Sequence, residues 1–588
     1  MTTDQNYQQI YRVGGMLDAG FVGQITYTIS LDQVYDELDI HFSFDKRLYS
    51  ESDVTPELID RLQTLCTAKY NAPTYPVEEF RQTILHEMKT EIHTMAELND
   101  DFIGCIHRQL TDRHMLYTKE FTSDGCLAQD TFSGVLKVTV LVFNVLLDNT
   151  QYTLTVSGHP VGHGVIAPNF NLMDTVKTAA GNAGASNAAG SADNSCDAES
   201  APASAVATAG SSGVSGAGSA ATAGDSSTTG SSSAGNTVTA STRFKRLELH
   251  NHTVESDGSL TCQELTEYLA ADHVDAFAIT DHNTTSGQKK IEQLLEEKHY
   301  PISLIRGMEY TTYFGHILCL NLAKYVPWNS IDQHRPELLF EATRKKGALV
   351  GIAHPFSYGD PFARGCRFEM TISDYSKVDF IEIFNNPEPL HEVNERGTNL
   401  WMSLIFSGYQ ITATSGMDLH NRAKLAGCYA TYIEGKNGGN IASELDTAIH
   451  THRTWVSKGA LLLTEVLPET NELLLTFTDA HKPGFSVPKT AQVVLKGKDK
   501  TFTTSVSLDK PVRVSLNQLS GTDPIIPLLY EAPGINGAAT VSNAAHVAAS
   551  TSCSNTADAS SAAGQLKEID ALPAIEGLLC VSPVLYRD

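Results

Sequence analysis

The residues best equipped for chemistry begin at "ELHNHTVESDG", Glu248 to Gly258. His250 and His252 are one residue apart, and on a strand alternate side chains face the same side, so two imidazoles aim at one place. More imidazoles and carboxylates sit at successive apolar runs. Asp281 and His282 follow "DAFAIT", Glu309 lies in "SLIRGMEY", and His316 opens "GHILCL". His354 closes "LVGIAHP", Glu382 lies in "DFIEIF", and Asp418 and His420 close "ITATSGMDLH". Singly, each has a bland reading: a polar strand, a helix cap at Asp281, a turn residue at Asp418. Arriving in order at strand ends, they read as one cluster. Imidazole and carboxylate without thiolate suit Zn, Mn or Fe better than the all-oxygen sites of Mg or Ca. About nine candidate ligands exceed what one tetrahedral ion takes, which predicts two or three divalent ions sharing carboxylates. Such a centre activates water and clamps the oxygens of an in-line displacement, most naturally in a phosphoester.

The elements that must position these groups lie between 243 and about 459. Apolar runs of strand length alternate there with helical patterns such as "CQELTEYLAADH", "QKKIEQLLEEK", "PELLFEATRKK" and "GTNLWMSLIFSG". That alternation predicts a parallel sheet buried on both faces, open or closed into a barrel. In such folds the C-terminal strand ends converge on one face, which is where the chemistry-bearing residues fall.

Two β-rich regions flank this segment. Residues 1–171 hold the β-branched and aromatic runs "FVGQITYTISL", "YDELDIHFSFD", "GVLKVTVLVFNVLL" and "QYTLTVSG". One helical insertion, "PVEEFRQTILHEMKTEIHTMAEL", interrupts them; it places His86 and His93 on a solvated helix, and "HEMKT" is not a HExxH zinc motif. His159 and His163 belong to the edge of this region, while His273, His299, His334, His391, His450 and His452 read as solvated helix or loop residues. Residues 172–242 are an Ala/Gly/Ser linker with too little apolar bulk to offset ordering entropy. Residues 460–588 form a small β domain interrupted by a low-complexity loop at 536–565.

The net charge of −26 argues against extended nucleic-acid binding, which needs clustered Lys and Arg. No apolar run of about eighteen residues predicts a membrane span. The start "MTTDQNYQQIYRVGG" lacks a signal-peptide pattern, and ten scattered cysteines suit a reducing compartment, so a cytoplasmic protein is expected.

The segment "LHNHTVESDGSLTCQELTEYLAADHVDAFAITDHNT", with "RGMEYTTYFGHILCL", "GIAHPFSY", "DFIEIFNN" and "SGMDLH" after it, resembles the PHP superfamily of metal-dependent phosphoesterases over about 245–425. The wider layout is similar to its CehA/McbA branch, named for carbamate and amide hydrolases. The resemblance implies a distorted seven-stranded β/α barrel with a trinuclear metal centre. Residue by residue, it implies His250, His252, Asp257, His282, Glu309, His354, Asp418 and His420 as metal ligands, with His316 a further ligand. Asp281, His316 and Glu382 match as ligands, or else as groups that orient ligands or act as a catalytic acid. Arg306, Arg364 and Arg367 are candidate phosphate clamps, since guanidinium binds phosphate oxygens in a bidentate way. Glu248 stands where the family has Asp, and Met417 where the branch has Ser. A phosphoesterase acting on a small phosphomonoester, nucleotide or oligonucleotide end is one reading. A carbamate or amide hydrolase and a non-catalytic metal-stabilised module are the others.

Overall fold

The longest β-favouring stretch, the two runs between Gly23 and Phe44, folds as a single strand, β2 (Gly23–Phe44), bent where its pairing shifts register between Leu31 and Tyr35. It is the spine of a seven-stranded sheet. With it lie β1 (Gln8–Leu17), β3 (Glu91–Leu98), β4 (Asp101–Ile106), β5 (Asp112–Tyr117), β6 (Phe132–Asn144) and β7 (Thr150–Pro160). The order is β1-β7-β2-β6-β3-β4, with β5 on β2. Two helices, α1 (Pro56–Tyr70) and α2 (Val77–Glu87), pack together through Ile59, Leu62, Phe80 and Ile84. The single predicted helix therefore differs from the structure in two ways. Helix α1 precedes it, and its second half is not helical: α2 ends at Glu87 and strand β3 starts at Glu91.

The computed structural model describes residues 7–70, 75–108, 110–161, 242–328, 331, 333–385, 392–532, 566–569 and 572–586. The stretches read as an Ala/Gly/Ser linker (but for Thr242) and a low-complexity loop, together with His163 and His391, lie outside them. The described residues belong to one compact unit of mixed α/β structure with large sheets and few helices.

The central run of strands is β8 (Thr242–Glu248), β9 (Ala276–Ile279), β10 (Ser303–Thr312), β11 (Gly315–Leu320), β12 (Leu349–Ile352), β13 (Phe380–Phe384) and β14 (Thr412–Ser415). Helices α3 (Cys262–Ala271), α4 (Ser286–Lys298), α5 (Glu337–Arg344) and α6 (Glu392–Phe406) alternate with them where the apolar periodicity predicts. Thr261 and Glu264 form a reciprocal capping box at the start of α3. The expected all-parallel sheet is mixed instead: β11 runs antiparallel to both β10 and β12. The turn between Thr312 and Gly315 is too short for a parallel crossover, which needs a dozen or more residues. The segments that follow the first and last strands of the run meet: Leu419 N donates to His250 O and His252 N donates to Leu419 O.

The sheet continues from β8 through β15 (Ala430–Lys436), on which α7 (Ile441–His450) packs, to β16 (Thr454–Ser457). A hairpin, β17 (Ala460–Leu467) and β18 (Glu472–Asp479), departs from it. Strands β19 (Thr490–Lys496), β20 (Thr501–Ser507), β21 (Val512–Ser515), β22 (Ile526–Glu531), β23 (Lys567–Ile569) and β24 (Leu578–Val581) complete the chain's C-terminal part. The fourteen-stranded sheet ends β16-β24-β22-β19-β20-β23, and β17-β18-β21 is a separate three-stranded sheet.

Candidate metal centre

All nine predicted metal ligands come together. His250 and His252 follow β8, and Asp257 lies in the next turn. His282 follows β9, Glu309 and His316 lie in the β10–β11 hairpin, His354 follows β12, and Asp418 and His420 follow β14. Glu309 is the hub and is fully buried. Its Oε2 lies 2.8 Å from His282 Nδ1, 3.2 Å from His250 Nε2 and 3.4 Å from His252 Nε2. Its Oε1 lies 2.9 Å from His316 Nδ1 and 3.0 Å from His354 Nε2. Asp418 Oδ1 sits 2.9 Å from His252 Nε2 and 3.3 Å from His250 Nε2. Asp257 Oδ1 sits 3.3 Å from His420 Nε2 and 3.6 Å from His282 Nε2.

The residues fit divalent metal ions. His250 Nε2, both nitrogens of His252, His316 Nε2, Glu309 Oε2, Asp418 Oδ1 and Asp257 Oδ1 are buried, and although imidazole and carboxylate atoms here approach to 2.8–3.6 Å, none of them makes a hydrogen bond of proper angle. Buried polar atoms are almost always satisfied, so converging orphans of both donor types mark a cation position. The electrostatics agree. Burial would raise the Glu309 carboxyl, yet His250, His316 and His282 hold it well below its ordinary value. Burial would lower His420, yet Asp418 and Asp257 lift it to about 10. A bound cation would take over the place of those protons.

The backbone bends to deliver these groups. His354 and Asp418 lie in the left-handed region, at φ 22° and φ 49°, a strained placement common at functional sites. Gly416 must be glycine because a Cβ there would lie 2.4 Å from His250 Cβ and 2.7 Å from Glu382 Oε1.

The other predicted residues stand behind the cluster. Glu382 Oε1 lies 3.0 Å from His250 Nδ1, and its Oε2 accepts from His354 N and Asn385 Nδ2, both at 2.9 Å. This carboxylate–histidine contact fixes the ring so that Nε2 faces the centre. Asp281 accepts from Thr253 N at 2.7 Å, Thr253 Oγ1 at 2.8 Å and Ser256 Oγ at 2.7 Å, which ties down the turn carrying Asp257. Burial raises its pKa to about 6. Glu248 Oε1 accepts from Met417 N at 2.7 Å, so the Glu and the Met grip each other beneath the site. Arg306 pairs with Glu292 on the surface. Arg364 and Arg367 flank a loop whose Cys366 O lies 3.1 Å from His354 Nδ1. Arg364 pairs with Asp360 at 3.1 Å, but its Nε, like Arg367 Nη1, is buried without a hydrogen-bonding partner.

His93 corrects the sequence reading. It lies on strand β3 rather than on a solvated helix, and it is fully buried. Glu91 and His107, which the sequence reading did not single out, join it. His93 Nε2 lies 3.1 Å from Glu91 Oε1, and the His93 and His107 ring centroids are 3.9 Å apart. His107 in turn stacks on His282 at 4.1 Å and places Nε2 3.4 Å from Asp257 Oδ2. The N-terminal sheet therefore reaches the centre. Docking is specified nearby: Gly125 N donates to Glu255 Oε2 at 3.0 Å, and Thr284 Oγ1 donates to Gly125 O at 2.9 Å. A Cβ on Gly125 would meet Cys105 O at 2.3 Å and Glu255 O at 2.9 Å. The one local hint is the alternation in "TEIHTMAEL", which puts Glu91, His93 and Met95 on one face.

Residues 7–160 match a family model described as a family of unknown function, DUF6669. The chain is 34% identical over 79 residues to the 5'-3' exoribonuclease Rnm of Escherichia coli (strain K12), covering 13% of this chain and 27% of that protein. It is 30% identical over 112 residues to the uncharacterized protein MJ1587 of Methanocaldococcus jannaschii, covering 19% of this chain and 58% of that protein. The chain thus spans about a quarter of the exoribonuclease. Among solved structures, a two-domain protein of Bacteroides vulgatus, described as containing a predicted PHP-like metal-dependent phosphoesterase, is similar with a TM-score of 0.30. Its identity is 14%, over 49% of this chain and 90% of that one. An amidohydrolase of Chromobacterium violaceum is similar with a TM-score of 0.23 and 16% identity, over 30% of this chain and 88% of that one.

Proposed function

We propose that the chain is a PHP-type metal-dependent phosphoesterase acting on a small phosphomonoester, a nucleotide or an oligonucleotide end. The observation that carries this reading is the convergence of unpartnered buried imidazole and carboxylate atoms on Glu309. In this reading the seven strands β8–β14 close as the distorted barrel, between an N-terminal β domain (1–171) and a C-terminal one (460–588). Two or three ions, Zn, Mn or Fe, are held by His250, His252, Asp257, His282, Glu309, His316, His354, Asp418 and His420. Divalent ions supply Lewis-acid polarisation of the ester and activation of water. The protein's own part is positioning. Glu382 orients His250, and Asp281 fixes the Asp257 turn. Asp257, Asp418 and His420 keep 26%, 23% and 32% of their side chains exposed, whereas the other ligands keep 6% or less, so substrate enters on that side. The unsatisfied N–H groups of Arg364 and Arg367 favour a phosphate over a neutral carbamate. The 5'-3' exoribonuclease activity of the Escherichia coli relative supports a nucleic-acid end as substrate.

The test is hydrolysis of p-nitrophenyl phosphate, mononucleotides, 5'-phosphorylated oligonucleotides and carbamate esters, with metal content measured in parallel. Phosphoester turnover by the wild type and a loss of about 10³-fold or more in Glu309→Gln are expected. Turnover of carbamates alone would replace the reading with a carbamate hydrolase. A wild type that holds one ion or none, with equal activity in Glu309→Gln, would remove it.

A further inference from the structure

The N-terminal sheet carries a donor set of its own. Strands β3 and β4 pair antiparallel with Thr94 opposite Ile106, so His93 and His107 are the next residues to face each other across the ladder. Cross-strand neighbours sit close enough for their side chains to act together. Glu91, two residues before His93, points to the same face. The ligand atoms of Glu91, His93 and His107 all lie within 4.8 Å of one another. All three are buried, at 6%, 0% and 4% exposure. Among the described residues no lysine or arginine forms an ion pair with the Glu91 carboxylate, and the Phe143 ring covers His93 with centroids 4.4 Å apart. A carboxylate in so dry a place calls for a close positive partner. Two imidazoles and one carboxylate are a zinc donor set that leaves a fourth position open.

We propose that Glu91, His93 and His107 form a further divalent-metal site, of zinc type, beside the main centre and separate from its ligand set. Asp257 links the two: its Oδ1 faces His282 and His420, while its Oδ2 lies 3.4 Å from His107 Nε2. One carboxylate thus stands between both positions. The site extends the metal array across the junction between the N-terminal sheet and the central strands. It stands on its own three residues and does not depend on the phosphoesterase reading.

The experiment uses the full chain, stripped with a chelator, reloaded with Zn(II) alone and freed of excess metal. Ions per chain are counted by plasma mass spectrometry, and crystals give anomalous difference maps on both sides of the zinc edge. The expected result is anomalous density bonded to Glu91, His93 and His107. In Glu91→Gln/His93→Asn one ion per chain is lost while the ions at Glu309 remain. Density at Glu309 with none at Glu91, His93 and His107, or an unchanged ion count in the double variant, overturns the site. His250→Ala serves as the control for the main centre. If it loses no ion, the phosphoesterase reading fails, while density at Glu91 still decides this one. Should the double variant not fold, as judged by near-UV circular dichroism, the wild-type maps and the ion count of the single variant His107→Gln decide the matter.

Discussion

The two β-rich flanks are attached to the central strands in different ways. The C-terminal flank is joined by backbone: β15, β16 and β24 extend the sheet that begins at β14, so main-chain hydrogen bonds carry the junction. Among the described residues the N-terminal flank shares no ladder with those strands and is joined face to face. Met95, Phe102, Leu141 and Phe143 enter one apolar core with Met308, Tyr310, Tyr313 and Trp328. Ladder extension places residues at a sheet edge, away from strand ends. Face-to-face docking sets a whole side-chain surface over a neighbour, and here it sets His107 against His282 and Asp257. The flank that touches by side chains is the one that reaches the candidate metal centre.

That contrast can be broken by substitutions in the two junctions. The largest effect is expected for Phe143→Ala, which empties the space between Tyr313 and His93. It should cost about 3–5 kcal/mol in denaturant unfolding and lower hydrolysis per folded molecule as well. Leu529→Ala, in the buried core of the C-terminal flank, should cost about 2–5 kcal/mol with turnover per folded molecule unchanged. Equal loss of turnover in both would erase the distinction.

Lys482 gives a pH signature where the C-terminal flank meets the central strands. Burial, and then Arg246, lower its pKa from the ordinary 10.5 to about 8. Below about 8 both folded and unfolded chains carry this proton, and the burial penalty is fully present. Between about 8 and 10.5 only the unfolded chain binds it, so this residue makes the fold more stable as pH rises, by up to about 3 kcal/mol. Lys482→Met should abolish that rise relative to wild type when urea midpoints are compared at pH 7.5 and 10. An identical pH slope in both proteins would contradict it. The smallest effect is expected from Thr284→Val, which removes the hydrogen bond to Gly125 O. About 1–2 kcal/mol should be lost, with a measurable drop in turnover because the contact lies on the docking face.

The central strands and most of the candidate ligands were legible because those donors sit in or just beyond apolar runs, where strand and helix periods alternate; Asp257, in a turn, was read only through the family resemblance. Antiparallel β11 was missed as such because its apolar composition matches its parallel neighbours; only the short turn before it distinguishes the direction. His93 was hidden by "FRQTILHEMKTEIH", whose Glu, Gln, Leu, Met and Lys favour helix up to the point where Thr90, Ile92 and Thr94 take over. His107 could not be found by local pattern at all. Its relevance comes from packing against Asp257 and His282, residues far along the chain, and a single sequence carries no record of such contacts.

The position of β24 has a consequence for synthesis. Residues Leu578–Val581 lie between β16 and β22, so on the ribosome those two strands emerge with their inner edges bare. Each presents open N–H and C=O groups until the tetrapeptide "LLCV" arrives to fill the gap. The nascent chain therefore passes through an interval in which the central strands β8–β14 are already complete while this edge still needs shielding, and translation speed over the preceding stretch sets how long that interval lasts.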